Sequence, residues 1–184
     1  TSTGISINGA NGNTIVGNYI GTNVAGTADL GNTSNGINVL SNGNTIGGST
    51  AADRNVIAGN SGSGVYILSD NNFVQGNYIG VDSSGTATLG NDDRGILVNI
   101  GSANNTIGGT GAGEGNVIGG NLGEGILLNA AGTEFNIVQG NFVGTDATGT
   151  VDVGNVQVGI NVIGTANNLI GGTTSTAGNV VAFN

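Results

Sequence analysis

Apolar side chains along this chain come in short alternating runs, and the runs recur at a fixed phase. A glycine followed by an apolar–x–apolar triplet opens each of six repeats, at Gly4, Gly36, Gly64, Gly95, Gly125 and Gly159. Downstream, Asn13, Asn44, Asn72, Asn105, Asn136 and Asn168 each stand two residues before an apolar position. A second set follows, Asn18, Asn55, Asn77, Asn116, Asn141 and Asn179, again two residues before Ile or Val. Period-2 alternation over runs this short, bounded by Gly and Asn, predicts three short strands per repeat. None is long enough to stand alone, so each must pair with its equivalents in the repeats before and after. The predicted fold is all-β: a right-handed parallel β-helix (a β-solenoid) of six coils around one Ile/Val core. At ~4.8 Å per coil the rod is about 29 Å long. The two aligned asparagine sets are expected to hydrogen-bond along the axis as structural ladders.

The coils alternate between two types. In coils one, three and five the second and third segments run together, and 18 residues separate the third-segment Asn from the next glycine (18 to 36, 77 to 95, 141 to 159). Coils two, four and six instead carry six-residue inserts at 49–54, 110–115 and 173–178. The chain therefore reads as one β-helix domain, 1–184, of three two-coil units at about 4–63, 64–124 and 125–184.

In the long loops the shared Asp/Asn-x-x-Gly-Thr pattern (Asn23–Thr27, Asp82–Thr86, Asp146–Thr150) predicts a type I turn closed by a left-handed glycine in a three-residue hairpin. A third ladder is expected five residues after each third-segment Asn, at Asn23, Asn60, Asp82, Asn121, Asp146 and Asn184. Aromatic residues follow the third-segment Asn only in hairpin coils, as Tyr19, Tyr78 and Phe142. Leu30, Leu89 and Val153 are expected to fold back over them.

Composition narrows the function. Only 7% of the 184 residues are charged, with 2 Lys+Arg against 11 Asp+Glu, a net charge of −9 and no His. Such a balance speaks against nucleic acid as a partner and against an anionic membrane surface, since both need clustered cations. No apolar run approaches the ~20 residues of a membrane span. Regularly placed hydrophobic residues, 36% of the chain, exclude disorder.

Catalytic chemistry is thinly supplied. Without His, Cys or Lys, most nucleophile and general-base pairs are absent, and the reading is that the chain is not an enzyme. Two carboxylates suffice for glycoside hydrolysis, which leaves Asp92/Asp93 and Asp146/Asp152 as pairs to examine. Solvated turn residues are the simpler reading of both. Asp82 and Asp146, in Gly-rich loops, are also weak candidates for calcium ligands; no other cofactor is implied. A threonine column for ice fails, because Phe73, Ile137 and Leu169 interrupt Thr14, Thr45 and Thr106. Tyr66, Leu97 and Leu127, outward on successive coils, form a possible lateral patch. Arg94 and Glu124 are placed one rung apart and are expected to pair at the surface, contributing little.

The grammar Gly-Ile-x-Val…Asn-Asn-Thr-Ile-x-Gly-Asn-x-Ile resembles the parallel β-helix repeat proteins of the pectate-lyase-like superfamily. The runs Gly76–Asp82 and Arg54–Asn60 are similar to those of large bacterial surface and secreted repeat proteins. The resemblance spans the chain and implies fold, with an extracellular or cell-surface setting; no catalytic residue of the superfamily's enzymes maps onto this sequence. Finally, joining Asn184 to Thr1-Ser2-Thr3-Gly4 restores the Asn-x-x-x-Gly turn of Asn60–Gly64 and Asn121–Gly125 in phase. The expected function is thus a structural module of an extracellular filament, stalk or adhesin. It is expected to continue or stack head to tail with itself through Gly4, Ile5, Ile7, Val181 and Asn184. A polysaccharide-binding or polysaccharide-cleaving β-helix is the alternative, with glycans as partners.

Overall fold

Residues 2–184 are described by a computed structural model, in which every predicted strand forms; Thr1 lies outside the described residues. The strands make three six-stranded sheets, each with one strand per coil in coil order. The first sheet holds Ile5–Ile7, Ile37–Val39, Val65–Ile67, Ile96–Val98, Ile126–Asn129 and Ile160–Ile163. Thr14–Ile15, Thr45–Gly47, Phe73–Gln75, Thr106–Gly108, Ile137–Gln139 and Leu169–Ile170 form the second. In the third are Tyr19–Ile20, Val56–Ile57, Tyr78–Ile79, Val117–Ile118, Phe142–Val143 and Val180–Val181. All pairings are parallel, and the glycine-anchored register holds: Ile5 lies against Ile37, Ile37 against Val65, Ile96 against Ile126. No helix occurs among the described residues.

Each strand is two to four residues long, so local propensity contributes little and stacking carries the fold. The inward residues of the three sheets form one core, and those of the inner coils, such as Ile46, Ile79, Ile107 and Leu128, are fully buried. Each such side chain contributes on the order of 1.5–3 kcal/mol by leaving water.

Both expected ladders are present, and a third runs beside them. Across the three, fifteen axial steps carry a side-chain amide bond of 2.7–3.1 Å from one coil to the next. Asn77 shows the full pattern. Its Oδ1 accepts from the backbone N and Nδ2 of Asn55, while its Nδ2 donates to Asn116 Oδ1 and to the carbonyls of Ile46 and Gln75. Every hydrogen-bonding site of the amide is used, so the side chain is buried without an unmet polar group.

The third ladder corrects the sequence reading. Its members are Asn32, Asn60, Asn91, Asn121, Asn155 and Asn184, not Asn23, Asp82 or Asp146. The hairpin closes on itself through the Thr22–Asp29, Val81–Thr88 and Thr145–Asp152 bridges, so the chain rejoins the coil only after it. Counting forward from the third strand therefore lands inside the hairpin. The invariant of this turn is an Asn four residues before each strand-opening glycine from Gly36 to Gly159.

Candidate functional site

The hairpins close one residue later than expected. Gly26 N donates to Asn23 O at 2.9 Å and Gly26 is left-handed (φ 66°), but the pairing partner of Asn23 N is Ala28 O, leaving four residues in the loop. Asp82 and Asp146 repeat the geometry and cap it. Asp82 Oδ1 accepts from the Ser84 hydroxyl and from the amides of Ser84, Thr86 and Ala87. Asp146 Oδ1 accepts from the Thr150 and Val151 amides, and the Thr148 hydroxyl bonds the same carboxylate. Partial burial pushes the Asp82 carboxyl up, but the Ser84 hydroxyl and the three amides outweigh it and hold it below the usual range. The Val151 amide does most to lower Asp146, burial opposes it, and Thr148 and Thr150 add to the lowering.

These acids serve their own turns. Among the described residues no three carboxylates come together in a way that would hold a metal ion. Because both folded values are depressed, the stabilisation they supply is complete above the ordinary carboxylate pKa of about 4. It is lost as pH falls through the lowered values. Amide exchange at Thr86, Ala87, Thr150 and Val151 should accelerate selectively in that window while ladder amides stay protected. Uniform protection down to the acid transition would contradict this role.

The paired acids separate in the same way. Asp93 bonds Arg94 at 3.0 Å and accepts from the Ser63 hydroxyl, whereas Asp92 is exposed. Asp152 accepts from the Gly154 amide, closing the hairpin base. Arg94 does meet Glu124, at 2.9 Å, but Glu124 is buried and also accepts from Asn161, so the pair is not the exposed one expected. Arg94→Ala would strip a buried carboxylate of its main partner and should cost about 1–2 kcal/mol, readable by denaturant titration. No change in midpoint would show the pair to be inert.

The suggested lateral patch is covered. Leu97 and Leu127 are buried and Tyr66 is half-buried, because these side chains stack on their rung neighbours along the first sheet. The satellite cluster keeps Tyr78 and Val153 of the expected set, with Phe142 against it, and adds Val56, Val81 and Val117. Leu30 is 69% exposed, and Leu89 is half-buried outside the cluster. What lies on the tyrosines is hairpin backbone: a Cβ at Gly85 would sit 2.7 Å from the Tyr78 ring, and one at Gly26 would touch Tyr19 in the same way.

Between hairpins and inserts, the outer face of the third sheet forms a trough. A pocket of about 380 Å3 there is lined by Arg54, Tyr78, Phe142, Val180 and the glycines of 109–115, among others. The Arg54 guanidinium stacks 4.1 Å from the Tyr78 ring centroid and its Nε donates to Gly76 O. Both ion pairs of the described residues belong to Arg94, so Arg54 faces the trough without a carboxylate partner. This site was not anticipated from the sequence; a lone cation just before ladder residue Asn55 was its signal.

The two end faces differ in a systematic way. At the first coil the inward Ile7, Ile15 and Ile20 are only 6%, 9% and 5% exposed, whereas at the last coil Val162, Ile170 and Val181 are 42%, 41% and 48% exposed. Each coil's core side chains are therefore covered chiefly by the coil that follows. The first-coil face instead carries two hollows of about 240 and 310 Å3, lined in part by Gly4, Ile5, Ile20 and Ile7, Ile15. Asn184 is exposed on the last rung of the third ladder. The ladders are polar as well. Among the described residues nothing donates to Oδ1 of Asn13, Asn18 or Asn32 at the first coil. At the last coil Nδ2 of Asn168, Asn179 and Asn184 reaches only back into the chain.

Comparison with known proteins yields no relative: no family model matches the chain, and no curated protein or solved structure matches it.

Proposed function

We propose that the chain is a structural β-solenoid module of an extracellular filament, stalk or adhesin that joins head to tail with a second copy through its end coils. The observation that carries this is the complementarity of the two faces. One end offers projecting Val162, Ile170 and Val181 with three amide donors; the other offers hollows with three amide acceptors at the same positions of the ladders. Seating one on the other adds a coil in register, covers the apolar side chains and pairs both sets of sheet edges. The pectate-lyase-like repeat grammar, with its likeness to bacterial surface and secreted repeat proteins, supports the extracellular placement.

Sedimentation velocity over a concentration series tests the association. The parent should form species that lengthen with concentration, and Val181→Asp, which puts a charge on the apolar face, should leave monomers. A parent that stays monomeric at the highest concentration reached would overturn the proposal.

The trough favours a second reading, the binding of glycans. The unpaired Arg54 offers a donor fork to a sugar hydroxyl or carboxylate, beside the half-buried Phe142. Calorimetric titration with acidic and neutral oligosaccharides checks it. Binding weakened at least tenfold by Arg54→Ala supports it, and no binding to the parent removes it.

A further inference from the structure

The alternation of coil types follows from the height of their projections. Hairpins stand on coils one and three, two rungs apart, and already touch: Ser83 N donates to Gly26 O at 2.9 Å and Ser83 Oγ to Ala25 O at 2.7 Å. Two rungs are about 10 Å. Hairpins on adjacent coils would occupy the same space. The inserts behave alike, since a Cβ on Gly113 of coil four would collide with the carbonyl of Ser49 in coil two.

Each projection thus fills two rungs, and the intervening coil must carry the other kind. There is also a positive contact between unlike neighbours. The tight turn of an insert coil donates to the base of the next hairpin, Gly59 N to Leu89 O at 3.0 Å and Gly120 N to Val153 O at 2.8 Å. In the first coil the equivalent carbonyl is that of Leu30, and in the last coil the equivalent amide is that of Phe183; among the described residues neither has a backbone partner.

We infer that each open end accepts only a coil of the opposite type, so the hairpin-bearing first coil takes as its partner an insert-bearing coil and no other. This rests on the head-to-tail reading and adds a parity rule to it: copies join only when each contains an even number of coils. At the junction Phe183 N of one copy donates to Leu30 O of the next, continuing the series from Gly59 and Gly120.

Two extended chains test the rule while keeping the whole protein. One appends a copy of residues 122–158 after Asn184, giving seven coils with hairpins at both ends; the other appends 122–184, giving eight. The eight-coil chain should associate as the parent does. The seven-coil chain should remain monomeric alone yet shorten parent assemblies at substoichiometric ratio, because its first coil still accepts a parent's last coil and its own last coil accepts nothing. Hydrogen exchange at the appended ladder amides reports that the added coil is formed. A seven-coil chain that associates as strongly as the eight-coil chain would overturn the parity rule alone. If the parent and the eight-coil chain both fail to associate, the head-to-tail reading fails instead.

Discussion

Asn77→Asp should destabilise the protein by about 3–5 kcal/mol at pH 7, and part of that loss should return on acidification. Asn77 is fully buried, with a partner for each donor and acceptor. Aspartate keeps the acceptor toward Asn55 but removes the donors toward Asn116 Oδ1 and the carbonyls of Ile46 and Gln75. It also places a charge beside the oxygens of Ile46, Gln75 and Asn116 in a fully buried position. Asn116 Oδ1 keeps the Asn77 amide and Gln75 O keeps the Gly48 amide, so the main cost is the uncompensated buried charge, about 3–5 kcal/mol.

The pH dependence follows from the same burial. The introduced carboxyl has its folded pKa raised by desolvation and by the facing oxygens. The ionisation part of the loss then returns as pH falls through that raised value, and that return is complete only below the unfolded value of about 3.9. The parent has the opposite sign in acid, since Asp82 and Asp146 are depressed. Denaturant unfolding at pH 7 and pH 5 separates the two. A cost below about 1 kcal/mol, or one independent of pH, would show that the ladder does not hold the coils together.

The second large effect is expected at Gly80. Its φ is +77°, and a Cβ there would collide with the carbonyl of Gly119 and approach the amide carbon of Asn121 to 2.7 Å. Gly80→Ala combines about 1–2 kcal/mol of left-handed backbone strain with about 1–3 kcal/mol of overpacking against backbone and ladder. Gly9 is the control: its φ is +76°, but nothing lies within 4 Å of its Cβ position. Gly9→Ala should therefore show only the strain. Thermal or denaturant unfolding of the pair gives the difference, and equal costs would mean that close approach to the next coil plays no part.

The fold was legible because its signal is repetition. Six glycine-anchored runs and two asparagine columns fix strand number, register and stacking at once, since slipping any coil by one residue would turn Ile and Val outward. Counting failed where the chain leaves the coil. Between Gly21 and Gly31 the hairpin obeys its own closure, so distance along the sequence no longer measures position on the rung, which resumes at Asn32, and likewise at Asn91 and Asn155.

Side-chain burial was also hard to read. Leu97 and Leu127 point outward yet are covered, because neighbours one rung away shield a flat sheet. Leu30 was expected over Tyr19 yet stays exposed, because Gly26 brings backbone onto the ring instead. The trough was invisible for a related reason: its walls are glycines of an insert, with no side chains to form a pattern, and only Arg54 and the aromatic column mark it.

Electron microscopy of the concentrated native protein, with an axial power spectrum, tests continuity along the helix most directly. Continuous rods with a ~4.8 Å coil spacing unbroken across junctions, and a subunit repeat of about 29 Å, are the predicted result. Isolated particles one subunit long at every concentration, or copies joined side by side with their end faces free, would contradict it.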